Sequence, residues 1–115
     1  MDKFEQLVVW QKAHALALDV YAISKRFPIE ERFGLTSQMR RSVVSVPSNI
    51  AEGAERRSLR DRVHFHDMAR TSLEELKYQL ILSRDLRYVS VEQYERLVAQ
   101  AREVGKMLRG LDRSL

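Results

Sequence analysis

Four arginines, Arg56, Arg57, Arg60 and Arg62, crowd one short stretch of the chain, and Arg40 and Arg41 stand a little before them. A guanidinium group matches phosphate oxygens with two parallel N–H donors, so these six residues are the candidate nucleic-acid-binding set. From Ala54 to Arg62 the chain holds four bases against two acids, its densest positive segment, within a net charge of +4. A charge-mixed connector in water, partly neutralised by Glu55 and Asp61, is the competing reading. No aromatic residue lies among these arginines, which argues against a platform on which single-stranded bases stack. Nothing in the pattern suggests a recognition helix entering a groove, so phosphate rather than base edges is the expected contact.

The other chemistry-bearing residues point to less. His14, His64 and His66 raise a metal site, but His64 and His66, two apart on a helix, face nearly opposite ways. Bundle metal sites place a carboxylate three residues before a His on two helices, and only Asp61 with His64 has that spacing. His66 falls on an apolar stripe, where a hydrogen-bonded core histidine is the simpler expectation. The serines sit in no nucleophile elbow or triad context, and no phosphate-cradling glycine loop is present. No catalytic residue, metal or cofactor is therefore assigned. Pro47, Ser48, Asn49, Glu52 and Gly53 form the most unusual run. A proline inside a helix removes one donor and clashes with the carbonyl of Val43, so a kink or a break is expected there. The neighbouring polar side chains would satisfy the freed backbone or pair with an arginine, or mark a ligand or subunit contact.

Four helices must position these groups. Val9, Ala13, Leu16, Val20, Ile23 and Phe27 repeat at alternating four and three residues on one face, and Pro28 stops that helix near Phe27. Leu35, Met39, Val43, Val46 and Ile50 mark a second helix, closed at Gly53 as a left-handed C-terminal cap. Ser58 and Asp61 resemble a capping box ahead of Leu59, Val63, His66, Ala69, Leu73, Leu76, Leu80 and Ser83. That third helix, from about 58 to 86, would run roughly 40 Å at ~1.5 Å per residue. Ser90 and Gln93 complete a capping box before Tyr94, Leu97, Ala101, Val104, Leu108, Leu111 and Leu115. Short connectors between amphipathic helices favour antiparallel neighbours, and the expected fold is all-α, an up-down-up-down four-helix bundle.

At 115 residues there is room for one domain, read as 1–115. The chain has 44% hydrophobic and 31% charged residues with only 4 Gly and 2 Pro, a composition of helix formers around a core. The absence of Cys removes disulfides, thiolate catalysis and Cys-ligated metal from consideration. No uninterrupted apolar run approaches the ~20 residues that span a bilayer, and a cytoplasmic location with no membrane partner is the expectation. Val8, Leu18, Ile81, Leu82 and Val98 are apolar beyond one stripe per helix, more than one bundle core would cover, which points to self-association.

Three segments carry a resemblance: Phe4 to Ala13 (Phe-Glu-Gln-Leu-Val-Val-Trp-Gln-Lys-Ala), Glu31 to Arg41 (Glu-Arg-Phe-Gly-Leu-Thr-Ser-Gln-Met-Arg-Arg), and Val46 to Gly53 (Val-Pro-Ser-Asn-Ile-Ala-Glu-Gly). Together they resemble the four-helix-bundle proteins encoded in intervening sequences of bacterial 23S rRNA genes, over nearly the whole chain. The resemblance implies an antiparallel bundle that assembles into a ring-like homopentamer with no catalytic activity. A relative of the same fold, the accessory variability protein of diversity-generating retroelements, is a basic pentamer that binds nucleic acid and a reverse transcriptase. The partners so implied are further copies of the chain, and RNA, DNA or a reverse transcriptase. An oligomeric scaffold without a nucleic-acid role is the alternative.

Overall fold

The computed structural model describes residues 1–114; Leu115, placed on the fourth stripe by its spacing, lies outside them. Four helices account for most of the chain: α1 (Val8–Ser24), α2 (Leu35–Ala54), α3 (Leu59–Asp85) and α4 (Val91–Ser114). Short 3-10 turns at Lys3–Gln6 and Ile29–Glu31 precede α1 and α2.

Each helix packs against its neighbours in the chain, and α4 closes onto α1. Contacts between neighbours run in reversed order. Gly53 of α2 faces Phe65 of α3, Ser45 faces Ser72, and Met39 faces Ser83. Likewise Asp19 of α1 meets Gln100 of α4 while Lys12 meets Glu103. The bundle is therefore antiparallel throughout, 43 Å in its longest dimension, as a helix of α3's length requires.

The periodic stripes form the core. Leu16, Met39, Ile50, Leu76, Leu80, Leu97 and Leu108 are all but completely removed from water, and each buried leucine contributes roughly 2 kcal/mol relative to exposure. Local chemistry sets the helix starts. The Asp61 amide donates to Ser58 Oγ at 3.1 Å. Ser90 and Gln93 exchange two such bonds, 2.8 Å and 3.0 Å. Glu31 Oε1 accepts from the Leu35 amide at the start of α2, a service the sequence pattern does not advertise.

Three expectations change. α2 is unbroken across Pro47, because both halves of the helix bury their stripes in one core and packing outweighs one missing donor. Gly53 is not a left-handed cap: α2 continues to Ala54, and no glycine has positive φ. Its requirement is close approach, since a Cβ there would stand 3.2 Å from Phe65 Cβ. The left-handed residue is Arg87, at φ 64°. There the Tyr88 amide reaches back to the Ser83 carbonyl at 2.8 Å and closes α3 with a Schellman turn. Finally, of the apolar residues read as surplus, Val98 is buried and Leu82 is half-buried against the core. Val8, Leu18 and Ile81 remain exposed.

Candidate functional site

The α2–α3 turn gathers four of the six candidate arginines. Arg56 Nη2 holds Glu52 Oε2 at 2.9 Å, and its guanidinium lies 4.8 Å from the centre of the Phe65 ring. Both charges are well exposed, so the pair adds little to stability. Arg57 and Arg60 are exposed and make no ion pair among the described residues. Arg62 folds inward: Nη2 donates to the Arg57 carbonyl at 3.2 Å, and Nε is buried with no partner.

Arg40 and Arg41 lie elsewhere, roughly 20 Å back along α2 at ~1.5 Å per residue. Arg40 is engaged inside the protein. Its Nε donates to Ser24 Oγ at 3.0 Å and its guanidinium covers the Tyr21 ring at 4.6 Å, fastening α2 to α1. Arg41 is exposed and borders a recess shared with Glu75 and Gln79 between α2 and α3. The six arginines therefore form a cluster of four and a separated pair, and they do not share one surface.

Around Pro47, Asn49 Nδ2 donates to the Ser45 carbonyl at 2.8 Å and to Ser45 Oγ at 3.0 Å. The Ser72 hydroxyl of α3 joins the same Ser45 Oγ at 2.8 Å. Ser48 is exposed and Glu52 is turned toward Arg56. The run thus ties α2 to itself, to α3 and to the basic turn.

One ionic cluster sits where the sequence marks only His66. His66 is 7% exposed, and its Nδ1 lies 2.6 Å from Asp112 Oδ1 on α4. Asp112 Oδ2 accepts from Arg70 Nη1 at 2.8 Å, and Arg70 also contacts Asp67. Burial opposes the Arg70 charge, but hydrogen bonds to Asp112 and Asp67 outweigh it and hold its pKa above the usual arginine value. A histidine on an apolar stripe needs a polar partner. Asp112, four residues after Leu108 on the facing helix, is the residue in reach.

The α1–α2 face carries an open groove of about 440 Å³, walled by Trp10, Leu18, Tyr21, Val44, Pro47 and Ala51. Leu18 is 58% exposed and Val44 42%, so an apolar strip on the bundle's side is left uncovered. Trp10 in turn is held by Phe4 edge-on and by His14 stacked at 4.9 Å. Among the described residues no group of three or more His, Asp or Glu is arranged to hold a metal ion. No described helix is long and apolar enough to cross a membrane.

An all-α bundle with a basic turn at one end and an uncovered apolar side defines a helical-bundle protein without a recognisable catalytic constellation. The chain belongs to the 23S rRNA-intervening sequence protein family, whose sequence pattern matches residues 5–110. A solved structure of similar fold is a protein with unknown function from the S23 ribosomal protein family of Bacteroides thetaiotaomicron. It is 27% identical, aligns with a TM-score of 0.84, and the match covers 91% of this chain and 98% of that one. No curated protein matches the sequence.

Proposed function

We propose that the chain is a non-enzymatic, cytoplasmic, homo-oligomeric binding protein that presents the α2–α3 turn to nucleic acid or to a nucleic-acid-processing partner such as a reverse transcriptase. The homopentamer implied by the family resemblance is the assembly. The observation that supports this reading is the separation of two uncovered surfaces on one small bundle. An apolar strip on α1 and α2 suits burial against another copy. The turn bearing Arg56, Arg57 and Arg60 is left to solvent, where it suits phosphate.

The test is binding of duplex and single-stranded DNA and RNA across two or more salt concentrations. Counterion release makes affinity fall linearly on a log–log plot, by about 0.9 per phosphate contact on duplex. Weak, sequence-tolerant binding with a slope of that kind is expected. The runner-up, an oligomeric scaffold with no nucleic-acid role, draws on the apolar groove alone. Oligomer mass together with no binding at low salt would favour it.

A further inference from the structure

At the end of the bundle that holds the basic turn, a cavity of about 160 Å³ lies between all four helices and the Lys3–Gln6 turn. Leu7, Ile50 and Leu111 are among its walls, and Lys3, Arg62 and His66 are its polar members. Two properties distinguish it from a packing gap. The walls are chiefly apolar, yet Arg62 Nε is buried without any hydrogen-bond partner, and a charged donor left unmade in this way is costly. His66 does not supply a counter-charge, since it faces Asp112, whose two oxygens are already taken by His66 and Arg70. The cavity thus has an uncompensated cation and no acid among its lining residues.

A single water is a poor answer to that need, because a buried water holds two to four polar partners and these walls offer few. An inorganic phosphate is equally poor: it needs several donors to offset its desolvation, and one free N–H in an apolar enclosure does not provide them. A carboxylate on a short hydrocarbon matches both features at once. Its charge pairs with the guanidinium and its tail replaces water against leucine and isoleucine. The volume is below the ~300 Å³ at which drug-sized sites begin, which sets the ligand at a few carbons.

We propose that this cavity binds a small monocarboxylate with an apolar tail, its charge taken by Arg62 and its chain lodged among Leu7, Ile50 and Leu111. The site is independent of the nucleic-acid reading, since it uses neither Arg57 nor Arg60.

The probe is hexanoate, titrated into the methyl-labelled 115-residue chain, with hexanamide as the neutral partner of the same shape. Saturable shifts at the Leu7, Ile50 and Leu111 methyls are expected with hexanoate, and at least about tenfold weaker binding with hexanamide, the scale of one charge-assisted hydrogen bond. Arg62→Gln should weaken hexanoate by a similar factor with helicity unchanged. Arg62→Lys, which keeps the charge and loses the Nε donor, covers the case in which Arg62→Gln does not fold. Ala54→Leu, which narrows the cavity without touching Arg62, should weaken both probes. Absence of saturable shifts, or equal binding of acid and amide, overturns the proposal, and both are read on the unsubstituted chain whatever the variants do.

Discussion

Asp112 joins α3 to α4 through two different bases, and its loss reaches further than one contact. Replacement by Ala leaves His66 Nδ1 and one Arg70 donor facing a half-buried space, and a buried donor without a partner costs about 1–3 kcal/mol. Asp112→Ala should lower the urea midpoint by that amount with an unchanged slope, the sign of lost stability rather than altered compactness. Tyr88 makes a pH-dependent counterpart at the opposite end of the bundle. Its hydroxyl donates to Glu31 Oε2 at 2.9 Å, and that bond, followed by burial and the Glu31 and Glu30 charges, raises the phenol pKa. A raised folded-state pKa means that the contribution is complete below the ordinary tyrosine value of about 10 and is lost as pH climbs through the raised one. Tyr88→Phe should therefore be less stable than the parent near neutral pH, and the gap should close above about pH 10. Urea titrations of both proteins at neutral and alkaline pH provide the measurement, and a gap constant with pH would show that the hydrogen bond is not its source.

Helix ends offer the clearest gains at the scale of elements. Arg87 occupies a left-handed cap at φ 64°, a conformation that disfavours a Cβ by roughly 1–2 kcal/mol and that glycine adopts freely. Part of that gain is offset by glycine's unfolded-state entropy, so Arg87→Gly should stabilise by a few tenths to about 1 kcal/mol, seen as a higher thermal midpoint. Gly110 is the reverse case. It lies inside α4 and a Cβ there meets nothing within 4 Å, so Gly110→Ala should add up to about 1 kcal/mol of helix propensity. The four helices were legible because Val9 to Ile23, Leu35 to Ile50, Ala69 to Leu80 and Leu97 to Leu108 repeat at helical spacing, and Ser58 and Ser90 announce two of the starts. The left-handed cap was not, because Gly53 is the residue type that such a position favours while Arg87 is not; only the packing of Phe65 against α2 explains that glycine. The arginine set was legible as local density at Arg56 to Arg62. Sequence nearness did not reveal that Arg40 is bound to Ser24 and Tyr21, since that contact depends on how α1 and α2 are aligned.

For the whole molecule, assembly and binding are coupled predictions. Leu18 and Val44 project from α1 and α2 into the same uncovered groove, so charge on both should block a second copy while leaving the bundle core, which neither residue enters, intact. Leu18→Glu with Val44→Glu is expected to lower the mass seen by light scattering at micromolar concentration to that of one chain of 13.5 kDa, with helicity retained. A ring repeats the turn carrying Arg56, Arg57 and Arg60 on every subunit, and linked sites gain avidity without any new contact. The dissociated variant should then bind nucleic acid more weakly and with a shallower salt slope, because fewer phosphates are neutralised per bound particle. Arg56→Ala, Arg57→Ala and Arg60→Ala combined should reduce affinity and slope as well, but with the oligomer mass unchanged. The two variants separate the causes: one removes the assembly and keeps each turn, the other keeps the assembly and removes the turns. A groove variant that stays oligomeric would move the interface to another face, such as the exposed Tyr78 and Ile81 of α3. A turn variant that keeps the parent's affinity and slope would move the phosphate contact away from α2–α3.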